Sequence, residues 1–146
     1  MLTPEAFDFV LNNELKRAVR SQNFLTLVHL EPSVRGPAIA NGDRDQAVRD
    51  IARLISREVR ETDLLAHTST GRLSMVLLDA DLHNSAGVIE RLMTRLEHYE
   101  FARPLVLDVG AASCPTHGSD VKTLRSAAEA RPVHPRRETR GNASSQ

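Results

Sequence analysis

Arg60-Glu-Thr-Asp63-Leu-Leu-Ala-His-Thr-Ser69-Thr-Gly-Arg-Leu73-Ser-Met-Val-Leu-Leu78 is the stretch on which the reading of this chain turns. It reads as the end of a helix, a short strand, a tight turn and a second strand. Thr68-Ser69-Thr70-Gly71 carries the turn chemistry, with Gly71 free to take a positive φ. Ser74-Met-Val-Leu-Leu78 is a short apolar run of the kind that fills a buried strand.

Upstream of this hairpin, Thr3-Pro4 reads as an N-cap followed by proline at the first helical position. Phe7, Val10, Leu11, Leu15, Ala18 and Val19 then recur at helical spacing, which predicts an amphipathic helix to about Arg20. Phe24 to Leu30 reads as a buried strand. The segment from Glu31 to Gly42 holds two prolines and two glycines and cannot be one continuous helix. Asp43 is positioned to cap a helix with the apolar stripe Val48, Ile51, Ala52, Ile55 and Val59.

Downstream, a helix from about Asn84 to Tyr99 turns Ile89, Leu92, Met93 and Leu96 to one side. Pro104 and Pro115 bound a further strand, and a short helix from Ser119 or Asp120 runs to about Ala130. From Arg131 onward, prolines, arginines and the ending Gly-Asn-Ala-Ser-Ser-Gln146 predict a disordered tail. The expected division is therefore a domain over residues 1–130 and a basic tail over 131–146. The four tail arginines Arg131, Arg136, Arg137 and Arg140 lack the aromatic neighbours that single-stranded nucleic acid binding uses, so a solvated tail is expected.

The order strand, helix, strand, strand, helix, strand is the ferredoxin-like βαββαβ arrangement of an α+β fold, framed by a helix at each end. A chain of 146 residues suits one domain with a real core. Lys plus Arg and Asp plus Glu both number 19, so no net field argues for nucleic acid or an anionic membrane. No apolar run approaches the ~18 residues that span a bilayer. The N-terminus has no signal-peptide pattern, and the single cysteine, Cys114, excludes an intrachain disulfide. These features predict a cytoplasmic location and no membrane or nucleic-acid partner.

The hairpin resembles the central hairpin of the GGDEF family, the bacterial diguanylate cyclases. There, a strand of the type Asp-Leu-x-Ala-Arg-x leads into Gly-Gly-Asp/Glu-Glu-Phe and an apolar strand; here Asp63-Leu-Leu-Ala66 is similar to that lead-in. Asp108-Val-Gly-Ala-Ala-Ser-Cys-Pro115, followed by Gly118-Ser-Asp120, is similar to the family's Ser-Ile-Gly-Val-Ala-x-x-Pro and Gly-x-Asp. Asn13 to Arg20 likewise resembles the family's first helix. The resemblance covers roughly residues 2–130 and implies the nucleotidyl-cyclase elaboration of the βαββαβ core.

The resemblance also shows what has changed. The signature reads Ser69-Thr70-Gly71-Arg72-Leu73, so glycine stands at the metal-carboxylate position and arginine at the acid after it. Joining two GTP molecules needs divalent metal to neutralise phosphate charge and to help the 3′-hydroxyl attack. The family's second carboxylate source, Asp-x-Asp-x-Phe-Lys at the end of the first strand, reads His29-Leu30-Glu31-Pro32-Ser33-Val34. A new metal site at His29 and Glu31 is an alternative to a capped strand end with a solvated Glu, and the latter is preferred. Asp45 stands where the family places a guanine-recognising Asp, although charge at a helix start accounts for it. The family's phosphate-binding Lys has no counterpart in Glu129-Ala-Arg-Pro-Val-His134. No catalytic residue, metal or cofactor is therefore expected.

Arg60-Glu-Thr-Asp63 is the chain's only Arg-x-x-Asp and precedes the signature by five residues, as the family's inhibitory product site does. The family's second arginine, on the helix after the hairpin, falls at Arg91. The resemblance thus implies cyclic di-GMP at Arg60, Asp63 and Arg91, with guanidinium groups on guanine O6 and N7 or on phosphate. The plainer reading is an Arg60–Asp63 surface ion pair and a solvated Arg91. Function then divides between an inactive cyclic di-GMP receptor and a ligand-free interaction module. Either one would act through an unidentified protein partner or a homodimer.

Overall fold

The computed structural model describes residues 2–34, 41–59, 64–68, 71–99, 101, 105–130 and 137–138. Helix α1, Pro4–Ser21, starts where Thr3 accepts the amide of Ala6 at 3.2 Å, with proline in its first turn. It stops at Gln22, whose φ of 56° breaks the helical run while its N–H still reaches the carbonyls of Ala18 and Val19. Phe7, Leu11, Leu15 and Ala18 are buried at i, i+4, i+8, i+11, a stripe that one packed face requires. Val19 and Phe24 were expected inside and are 51% and 44% exposed. Val19 lies in the last turn of α1 and Phe24 just before β1.

Strand β1, Leu25–Val34, is longer than the expected Phe24–Leu30. Up to Leu30 it lies between β3, Arg72–Leu78, and β4, Leu105–Cys114, antiparallel to both. Beyond Leu30 its partners are on β4 alone, Pro32 standing opposite Leu107. Among the described residues no strand pairs with the other flank there, and a residue with no amide hydrogen is tolerated at such a place. Helix α2, Asn41–Glu58, contains Asp43 rather than beginning at it, so Asp43 is not its cap. Val48, Ile51 and Ile55 are buried as the stripe predicts.

Strand β2, Leu64–Thr68, pairs with β3 in the hairpin. Gly71 has φ 75°, the left-handed conformation for which glycine was expected in this turn. Helix α3, Leu82–His98, is capped by Asp81, which accepts the amide of Asn84 at 2.8 Å. Helix α4, Val121–Ala130, starts after Asp120, whose carboxylate accepts the Thr123 amide at 2.8 Å and its hydroxyl at 2.9 Å. Two residues of the tail, β5 at Arg137–Glu138, pair with β4.

The sheet order is β2-β3-β1-β4-β5, and its first four strands make the ferredoxin-like βαββαβ core of an α+β fold, with α1 and α4 as the flanking helices. Alternation along each strand sends side chains to opposite faces. Val28, Leu30, Leu73, Met75, Val109 and Ala111 meet α2 and α3 on one face. Leu25, Leu27, Val76, Ala112 and Cys114 meet α1 and α4 on the other. No helix among the described residues is long and apolar enough to cross a membrane.

Candidate functional site

The register across the central strands puts two polar rows on the α1/α4 face, at its hairpin end. Ser74, His29 and Gly110 are directly opposed in one row. One step towards the hairpin, Glu31 stands opposite Asp108 on β4 and beside Arg72 on β3. Both rows follow from the period of two that puts Leu25 and Leu27 on the same face.

His29 is 6% exposed, and its Nδ1 lies 2.9 Å from the hydroxyl of Ser74. Its Nε2 is buried without a hydrogen-bond partner among the described residues. Burial, and after it the positive charge of Arg72, pushes the imidazole down from 6.5 to about 4, against an opposing pull from Glu129. The ring is therefore neutral at ordinary pH. Whichever tautomer it adopts, either a buried N–H or a buried lone pair goes unused.

Above this ring, Arg72 donates from Nη1 to Glu129 Oε1 at 2.9 Å and from Nη2 to Glu31 Oε2 at 3.4 Å. One guanidinium thus links β3, β1 and α4. A second ion pair, Arg125 with Asp8, ties α4 to α1. The fork geometry of arginine lets a single side chain serve two carboxylates, which a lysine could do only as a point charge.

The divalent metal implied by the resemblance does not fit these residues. Gly71 brings no ligand, and the carboxylate of Glu31 already faces the Arg72 cation. No group of three or more His, Cys, Asp or Glu that could hold a metal ion occurs among the described residues. The alternative pair of His29 and Glu31 is divided in role: His29 is engaged with Ser74 in the sheet, and Glu31 with Arg72. Cys114 is buried and its thiol is pushed up by burial, so it has the character of a packed side chain rather than of a nucleophile. Asp45 is exposed on α2.

Of the expected ligand residues, Arg60 and Asp63 lie outside the described residues, as do Ser69 and Thr70 of the signature. Leu73 is buried in the core against α2 and α3. Arg91 is exposed on α3. One turn further along the same helix, Arg95 pairs with Glu58 at the end of α2. The Arg72–Glu129 contact was not foreseen; its partners are 57 residues apart and share no local pattern.

A groove of about 320 Å³ lies at the opposite end of the sheet, lined in part by Glu14, Arg17, Phe24 and Asp79. It is separated from the hairpin end by the length of β1.

No family model and no curated protein sequence matches this chain. Solved structures do. The GGDEF domain of FimX from Pseudomonas aeruginosa superposes with a TM-score of 0.78 at 15% identity, covering 90% of this chain and 86% of that one. The GGDEF domain of PA1120 (YfiN or TpbB) from the same organism gives 0.77 at 17% identity, with 89% and 86% covered. The GGDEF domain of DgcB from Caulobacter crescentus, in complex with c-di-GMP, gives 0.71 at 16% identity, with 89% and 82% covered. The strand order, the capped helices and the hairpin with its left-handed glycine are together the fold of a GGDEF domain, and this chain has it.

Proposed function

We propose that this domain is a catalytically inactive receptor for cyclic di-GMP, using Arg60, Asp63 and Arg91 and passing the signal to a protein partner or a second copy. The observation that carries the reading is the exposed Arg91, one turn from the Arg95–Glu58 pair that holds the end of α2 against α3. In sequence, Arg60 follows Glu58 by two residues and Asp63 directly precedes β2. A guanidinium in such a place suits guanine O6 and N7 or a phosphate. The c-di-GMP complex of DgcB, a domain of the same fold, supports this ligand class. Inactivity is supported by Gly71 and by the Arg72 cation on Glu31, which leave no place for metal-bound GTP.

Calorimetric titration with cyclic di-GMP tests the proposal. Wild type should give saturable heat, and GTP with Mg²⁺ should compete poorly. Arg60→Ala should weaken binding about tenfold or more, since it removes a charge-assisted, bidentate contact. Arg91→Ala should come next and show the larger salt dependence, and Asp63→Asn should cost least. No heat at high micromolar ligand, with partner capture indifferent to Arg60→Ala, would leave the scaffold reading. Any cyclic di-GMP formed from GTP and Mg²⁺, and lost in Glu31→Ala, would overturn inactivity.

A further inference from the structure

We propose that Arg72 is the resident cation of the α1/α4 face, held between Glu31 and Glu129 in place of a divalent ion and closing that face to metal-bound phosphates. The reading is independent of the cyclic di-GMP site, because it uses none of the residues assigned to that ligand.

The geometry has three parts. The guanidinium reaches a carboxylate of β1 at 3.4 Å and one of α4 at 2.9 Å, so its two ends bridge a strand and a helix. The carboxylate of Asp108 stands in cross-strand register with Glu31, adding a third negative charge to the same end of the face. Beneath them His29 is buried, with its Nδ1 2.9 Å from the hydroxyl of Ser74. Arg125 is engaged by Asp8 on α1. Among these groups the charge of Arg72 is the one that directly contacts Glu31 and Glu129.

A divalent cation and a guanidinium solve the same electrostatic problem in different ways. Each neutralises two carboxylates that would otherwise repel one another. The metal exchanges and can carry a phosphate with it. The arginine is covalently fixed, always charged, and fills its fork with the protein's own oxygens. An arginine at this position is therefore a permanent counter-ion that also staples α4 to the sheet.

Removing the arginine should recreate a demand for metal. With Mn²⁺ alone as the probe, the melting temperature of wild type should not respond. Arg72→Ala should melt lower in chelator-treated buffer and recover as Mn²⁺ is added, because binding to the folded state alone stabilises it by mass action. Its Mn²⁺ affinity should exceed that of wild type by about tenfold or more. Adding Glu31→Gln to this variant should abolish the response. Arg72→Lys keeps a positive charge and should stay indifferent to Mn²⁺. Should Arg72→Ala fail to fold without metal, wild type still decides: paramagnetic broadening by Mn²⁺ of resonances around Glu31 and Glu129 would overturn the proposal. An Arg72→Ala protein that folds and ignores Mn²⁺ would overturn it equally.

Discussion

The two faces of the sheet are built from the same strands and differ in what they do with them. The face under α2 and α3 is apolar from Val28 and Leu77 to Leu73 and Leu107 near the hairpin, with one buried polar pair, Thr26 and Ser113, hydrogen-bonded to each other at its far end. A void there, among Ile55, Leu92 and other apolar side chains, measures about 20 Å³. The face under α1 and α4 is apolar over Leu25, Leu27, Ala66, Val76, Ala112 and Cys114. Towards the hairpin it changes to Ser74, His29, Glu31 and Arg72, a sequence of polar groups that satisfy one another incompletely. A fold gives up apolar burial where selection for something else outweighs it, so the uneven face is where the history of a site is to be sought.

The contrast can be broken first at its apolar side. Ile55 is 2% exposed and Leu92 5%, both against the void. Truncating either to alanine should cost ~2–5 kcal/mol in urea unfolding, since removed methylenes and an enlarged cavity both count. A loss below about 1 kcal/mol at both positions would show that this face collapses around the gap and is less tightly specified than it looks.

The polar side should reveal itself through pH. His29 has its pKa lowered from 6.5 to about 4 in the fold. Between those values the unfolded chain binds a proton that the folded chain refuses. Stability is therefore fully present above pH 6.5 and declines as the pH falls towards 4, by ~3 kcal/mol from this group alone. Carboxylates also titrate near the lower end, so the measurement is the difference between wild type and His29→Leu. That difference should shrink in favour of the variant as the pH drops. Parallel stability curves for the two proteins would mean that the imidazole protonates freely in the fold.

How much of this was legible beforehand follows from the range of the interactions involved. Thr3 and Pro4 announce α1 because capping is decided within three residues, and Gly71 announces its turn because few other residues accept φ 75°. The helical stripes of α2 and α3 are periodic and were read correctly. Asp81 as the cap of α3 was missed, though its signal, Asp three residues before Asn84, is local. The extension of β1 through Pro32 was not legible, since it depends on which flank of the strand is paired. The Arg72 bridge lay further out of reach. Its three partners come from residues 31, 72 and 129, and only the register of β1 with β3 and the docking of α4 bring them together. Sequence could show an arginine directly after the turn glycine, but not what that arginine would hold.

The smallest effect is expected at the edge that belongs to neither face. Arg137 and Glu138 pair with Leu107 and Val106 on the outer side of β4. Deleting residues 133–146 removes those ladder bonds, each worth ~0.5–1.5 kcal/mol net. It also removes the need to fix the backbone of two residues, which costs roughly 1–2 kcal/mol apiece. These contributions nearly cancel, so stability should change by less than about 1 kcal/mol and the melting temperature by a few degrees at most. The strands that matter to both cores, β1 and β3, keep every partner they had. A larger drop would mean that the tail docks on the domain, and the division at residue 130 would have to be redrawn. If the drop appeared only in wild type and not in Ile55→Ala, the tail would be supporting the apolar face. If it disappeared instead in His29→Leu, it would be supporting the polar one.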